Sequence, residues 1–143
     1  GIGIGGERVV GLARGRVTYD ALASDPDAVL VDVRTTAEWA YVGLPDLSGL
    51  GKQVVTIEWQ RYPSGAVNDR FVDELRSAGV EAEQPLYFLC RSGVRSKHAA
   101  SAATAAGLGP AYNILDGFEG PHDSQHHRVV AGWKADGLPW RQG

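Results

Sequence analysis

One cysteine, Cys90, lies between an apolar run and a polar turn in the stretch Leu86-Tyr87-Phe88-Leu89-Cys90-Arg91-Ser92-Gly93-Val94-Arg95-Ser96. A thiolate, unlike a thiol, is a strong nucleophile, and neighbouring positive charge favours it. Arg91 and Arg95 bring two such charges to the turn, and Gly93 lets the backbone bend tightly enough to aim its amides inward. The alanine-rich segment Lys97 to Ala106 has high helix propensity and stops at Gly107. Strand, tight loop and helix is therefore the expected local order. Such a loop points N–H groups and the positive end of a helix at its centre, where Cys90 sits. The chemistry this pattern serves is covalent nucleophilic catalysis, with a cradle for an anion or a persulfide. A buried, inert cysteine is the competing reading, and two arginines on a glycine-containing turn argue against it.

Other residues of chemical type are fewer. Asp32 and Arg34 end an apolar run, and Glu38 follows Arg34 by four positions, within reach of an ion pair. We read Asp32, Arg34 and Glu38 as a structural charge network rather than as catalytic groups. His122, His126 and His127 raise a metal hypothesis, but no carboxylate or cysteine joins them at recognisable ligand spacing. They are read as a solvated loop, with no metal and no cofactor. Gly1 to Gly6 spell G-x-G-x-x-G, yet no strand precedes them, so residues 1–12 are read as a flexible N-terminal tail and 13–143 as a single domain.

The elements that must position Cys90 follow from the rest of the chain. Val17 to Ala23 suggest a first strand and short helix, with Thr18 as N-cap. Ala28-Val29-Leu30-Val31-Asp32-Val33-Arg34 opens with a continuous apolar run, the mark of a strand buried on both faces. Its charged end falls where open α/β sheets place ligands. Thr35 and Glu38 have capping-box spacing for a helix through Val42. Gly43 to Lys52 form a loop, Gln53 to Ile57 a third strand, and Glu58 to Ala66 another loop. Asn68 is expected to cap a helix from Asp69 to Ala78. Leu86 to Leu89 make the central strand, and Ala111 to Leu115 a further one before the Asp116-Gly117 turn. Strands alternating with helices imply right-handed crossovers and a mostly parallel sheet. The 143 residues suit one domain with a real core. A net charge of −3 gives no support for a nucleic-acid or anionic-membrane partner. No apolar run approaches a membrane span. One cysteine permits no internal disulfide and no Cys-rich zinc site, and a cytoplasmic location is the default expectation.

Four segments, in order, resemble one family. Cys90-Arg91-Ser92-Gly93-Val94-Arg95 resembles the C-R-x-G-x-[RT] active-site loop of rhodanese-like sulfurtransferases. Leu30-Val31-Asp32-Val33-Arg34 with Glu38-Trp39 resembles the family's D-x-R…E-[FYW] segment. Asn113-Ile114-Leu115-Asp116-Gly117-Phe118 resembles the strand and glycine turn after the active-site helix, and Trp133…Gly137-Leu138-Pro139 the closing W…G-L-P. The likeness covers about residues 17–140. It departs at Val42-Gly43-Leu44-Pro45-Asp46-Leu47, where the family often has G-H-I-P-G-A and here the histidine is missing.

The resemblance implies an α/β fold with a five-stranded, mostly parallel sheet and helices on both faces. It implies catalysis by Cys90, with Arg91, Ser92, Gly93, Val94, Arg95 and Ser96 binding the substrate. Its expected partners are a small anionic sulfur donor such as thiosulfate and a thiol or cyanide acceptor, with a protein donor or acceptor as a further option. Other classes remain: a persulfide carrier, a non-catalytic rhodanese-like binding module, or a cysteine-dependent phosphatase or arsenate reductase. The phosphatase needs arginine six positions after its cysteine, and here Ser96 stands there while Arg95 is at five.

Overall fold

The computed structural model describes residues 11–61, 64–91, 94–114, 133 and 137–141. Seven strands and four α-helices alternate along them. They are β1 (Gly11–Ala13), α1 (Gly15–Ser24), β2 (Val29–Asp32), α2 (Thr36–Tyr41), β3 (Leu44–Pro45), β4 (Val55–Thr56), α3 (Phe71–Ser77), β5 (Leu86–Leu89), α4 (Val94–Ala105), β6 (Ala111–Ile114) and β7 (Trp140–Arg141). Among these residues no helix is long and apolar enough to cross a membrane.

The main sheet has five strands in the order β1-β6-β5-β2-β4, and its pairings are parallel. The continuous apolar runs of β2 and β5 become its centre because both their faces are covered. Side chains alternate between faces with the pleat. Val31, Leu86 and Phe88 pack on one side with Phe71 and Leu75 of α3 and Ala99, Ala100 and Ala103 of α4. Leu30, Tyr87 and Leu89 pack on the other with Leu22 of α1, Trp133 and Leu138. Helices therefore cover both faces, as the α/β reading requires. The alanines of α4 are explained by this contact, since small side chains let a helix lie close to the sheet.

Several local expectations shift. Gly11 and Leu12, read as tail, belong to β1, which pairs with β6; residues 1–10 lie outside the described set. Thr18 does not cap α1: the helix starts at Gly15 with Arg14 as N-cap, and Thr18 is buried inside it. The Thr35–Glu38 capping box is present in both directions. Asn68 stands before α3 rather than at its N-cap, which is Arg70; its side-chain oxygen accepts from the Arg70 N–H at 3.0 Å. The third strand is trimmed to Val55–Thr56. At the end of α4, Gly107 takes φ +83° and Leu108 N–H donates to the Ala103 carbonyl at 3.0 Å, a left-handed stop.

The segment lacking the family's histidine has its own construction. Leu44–Pro45 pairs antiparallel with Trp140–Arg141, which ties the chain's closing stretch to the loop after α2. Gly43 makes this possible with φ +119°, and a Cβ there would lie 2.7 Å from the Arg141 carbonyl oxygen and 2.9 Å from the Trp140 ring. Only glycine fits so close a backbone approach.

Candidate active site

Parallel pairing places Asp32 opposite Leu89, so β2 and β5 end level at the carboxyl edge of the sheet. Val33 N–H then donates to the Leu89 carbonyl at 2.8 Å, holding the two exits together. The turn into α2 and the cysteine loop therefore leave the sheet side by side. Residues far apart in the chain meet there.

Cys90 follows β5 directly and is 1% exposed. Its Sγ lies 3.2 Å from the Ser96 Oγ on the first turn of α4. Ser96 is itself fully buried, and its hydroxyl donates to Asn113 Oδ1 of β6 at 2.5 Å. Cys90, Ser96 and Asn113 thus form a buried polar chain across β5, α4 and β6. Ser96 meets the sulfur itself, which differs from a role on an open substrate surface.

Arg95 is committed elsewhere. Its Nη1 and Nη2 donate to Glu38 Oε1 and Oε2 at 2.7 and 2.9 Å, a bidentate pair across 57 residues of chain. Burial alone would raise Glu38; the hydrogen bonds and charge of Arg95, the Thr35 N–H and the charge of Arg34 outweigh it and hold the carboxyl below its ordinary value. For Arg95 burial opposes the charge, and Glu38 outweighs it, with a smaller contribution from the charge of Cys90. Arg95 is therefore within electrostatic reach of the sulfur. It is nonetheless a charge-compensated group rather than a free clamp for an anionic donor.

The expected Arg34–Glu38 pair is not formed. Arg34 turns back to Asp32, with Nη2 to Oδ2 at 2.7 Å and Nε to Oδ1 at 3.0 Å, both side chains fully buried. Its Nη2 also donates to the Gly43 carbonyl at 2.7 Å. Asp32 is two residues away on the same strand exit, a shorter reach than Glu38 one helical turn on. Arg34 reaches Glu38 only as a nearby charge. The network is thus two pairs: Asp32–Arg34 ties β2 to the turn before β3, and Glu38–Arg95 ties α2 to α4.

Arg91 is exposed, and Val94 begins α4. Ser92 and Gly93, and the histidines at 122, 126 and 127, lie outside the described residues. A cavity of about 470 Å³ occurs away from the cysteine, lined by Pro45, Asp46, Lys52, Thr56 and Arg141 among others. Asn113 is the member of the site that residue types did not single out. Its signal was a polar side chain in a strand otherwise built for burial, which needs a hydrogen-bonding partner inside the fold.

Known proteins share this arrangement of a cysteine at the carboxyl edge of a parallel sheet, a short loop and a helix. The family described as STR4 middle domain matches residues 10–143. Rhodanese-like domain-containing protein 4, chloroplastic, of Arabidopsis thaliana is 31% identical over 131 residues, which span 91% of this chain and 25% of the plant protein.

The chain belongs to the rhodanese-like family.

Other relatives place it more closely. An uncharacterized protein of Rickettsia conorii is 41% identical over 124 residues, covering 86% of this chain and 90% of that protein. The crystal structure of Rv0390 from M. tuberculosis superposes with a TM-score of 0.86 at 52% identity, over 94% of this chain and 98% of that one. The polysulfide-sulfur transferase homodimer of Wolinella succinogenes shares the fold, with a TM-score of 0.62 at 20% identity over 94% of this chain and 80% of that one. Cys90 and Arg95 lie in the stretch that resembles the family's C-R-x-G-x-[RT] loop, and Glu38 is the partner of Arg95.

Proposed function

We propose that this rhodanese-like domain is a sulfurtransferase that works through a persulfide on Cys90. The observation that carries the reading is the placement of Cys90 at the carboxyl end of β5, with Arg91, Ser92 and Gly93 between it and α4, beside the Arg95–Glu38 pair. The Cys90 thiolate attacks the outer sulfur of a sulfane donor. With thiosulfate, the S–S bond breaks, the electron pair leaves on sulfite, and Cys90 keeps the sulfur as a persulfide. A thiophilic acceptor, cyanide or a thiol, then takes the outer sulfur and returns the thiolate. Exposed Arg91 and partly buried Arg95 bring positive charge to the site for an anionic donor. Donor and acceptor are small molecules or protein persulfides and thiols.

The 1% exposure of Cys90 favours a second reading, a rhodanese-like binding module that keeps its cysteine without turnover. Intact-mass measurement separates the two. The sulfurtransferase gains one sulfur atom on incubation with thiosulfate, loses it to cyanide, and gains none as Cys90→Ser. A gain only with a cysteine desulfurase and cysteine moves the reading to a protein-fed carrier. No gain with either donor leaves the binding module.

A further inference from the structure

The cavity of about 470 Å³ beside β4 has a lining of two kinds. Leu44, Pro45, Leu47 and Val54 make part of it apolar, and Lys52 and Arg141 bring two cations to it. Its volume is in the range of small-molecule sites, which combine apolar walls with a few placed polar groups. It is not the sulfur site. Thr56 of its lining pairs with Asp32 of β2, and β2 stands between β4 and β5 in the sheet. A full strand therefore separates the cavity from the strand that leads to Cys90.

Lys52 gives this cavity a chemical preference. An ammonium has three N–H donors and accepts nothing. Two of them donate to backbone carbonyls, Asp25 at 2.7 Å and Ala28 at 2.6 Å. Asp25 ends α1 and Ala28 precedes β2, so the half-buried ammonium is fixed in place rather than swinging on a free stem. Lys52 takes part in none of the ion pairs among the described residues. One donor and a full charge are left for a ligand. The acid in the lining, Asp46, accepts the Ser48 N–H at 3.0 Å and feels the charge of Arg141. The complement of two cations, one acid and an apolar wall is an organic anion.

We propose that this cavity is a binding site for a small aliphatic carboxylate, with its charge on Lys52 and its hydrocarbon body against Leu44, Leu47 and Val54. A compact ammonium meets a carboxylate as a point charge, and the apolar wall removes the ligand's methylenes from water. The site is separate from sulfur transfer and does not depend on it.

Hexanoate and its neutral analogue hexanamide test this on the native protein, by NMR titration of the backbone amides at neutral pH. Hexanoate is expected to bind with a Kd of about 1 mM. It moves the amide signals of Leu47, Val54 and Thr56 and leaves those of Cys90 and Arg95 in place. Hexanamide binds about tenfold more weakly because it lacks the charge. Butyrate, with a shorter body, also binds about tenfold more weakly than hexanoate. Lys52→Met keeps the stem, removes the charge and abolishes the preference for hexanoate over hexanamide. If loss of the two carbonyl bonds unfolds that variant, Arg141→Gln at an exposed position decides: it weakens hexanoate about two- to threefold and leaves hexanamide unchanged. Equal affinity for hexanoate and hexanamide, no saturable binding, or signals that move around Cys90 and Arg95 instead of β4 overturn the proposal. None of these readouts involves sulfur transfer, so a failure of Cys90 to form a persulfide leaves their result intact.

Discussion

Replacing Glu38 with Gln removes one charge and leaves the local helix cap in place. Gln keeps an oxygen at the position where Glu38 Oε1 accepts the Thr35 N–H at 3.2 Å, and either residue closes a capping box. What is lost is the bidentate partner of Arg95, whose contacts are 2.7 and 2.9 Å. The two side chains are 21% and 19% exposed, between the fully wet and fully buried limits. An exposed pair contributes 0.2–1 kcal/mol and breaking a buried one costs 3–5, so this substitution is expected to cost about 1.5–2 kcal/mol. In a chain of this length that lowers Tm by roughly 4–6 °C. The pH dependence has a definite sign. Glu38 is held below its ordinary value of 4.5, so its contribution is complete above that pH and is lost as pH falls through the lowered folded value. Urea unfolding followed by far-UV circular dichroism, from neutral pH downward, reads both. The gap between native and Glu38→Gln is full at neutral pH and closes in acid, and in an Arg95→Met background it is nearly absent throughout. A gap below about 0.5 kcal/mol, the range of ordinary surface changes, would refute the assignment of the pair as a tie between α2 and α4. So would a gap that does not vary with pH.

Other substitutions test the remaining supports. Arg34→Ala leaves the fully buried Asp32 carboxylate without its guanidinium and is expected to cost about 3–5 kcal/mol in urea unfolding. The double variant Asp32→Asn with Arg34→Met recovers part of that loss, and a single-variant cost under about 1 kcal/mol would show the pair to be idle. Gly43→Ala forces a Cβ to 2.7 Å from the Arg141 carbonyl at φ +119°, and thermal melts should show a loss of about 2–3 kcal/mol. An unshifted melt would mean the β3–β7 pairing contributes nothing. Trp133→Phe removes the indole N–H that donates to the Pro139 carbonyl at 2.7 Å inside a fully buried site, with an expected cost of about 1–3 kcal/mol by the same assay. Equal stability to the native chain would place Trp133 outside the cooperative core.

The legible part of this protein was what local pattern and residue type can carry. The apolar runs Leu30-Val31 and Leu86 to Leu89 declared buried parallel strands, because a strand covered on both faces has no polar alternation. The Thr35–Glu38 spacing declared its capping box for the same kind of reason: the partners are one helical turn apart. Cys90 stood out as the single thiol before a glycine turn and two arginines. Where several partners compete, spacing no longer decides. Arg34 had both Asp32 and Glu38 within reach, and the buried edge of the sheet gave it to Asp32 and Gly43. Glu38 was left to Arg95, a contact across 57 residues that exists because β2 and β5 end level. Thr18 looked like a cap until β1, which no periodicity in three residues can announce, moved the start of α1 back to Gly15. Asn113 gained its role only when β6 lay beside β5 and brought its amide to Ser96. The sequence by itself determined which strands are buried and which residue is the candidate nucleophile, since burial and reactivity follow from side-chain type. Tertiary structure alone decided which charge answers which and that Ser96 meets Asn113, because those choices depend on distances between strands that the order of residues does not contain.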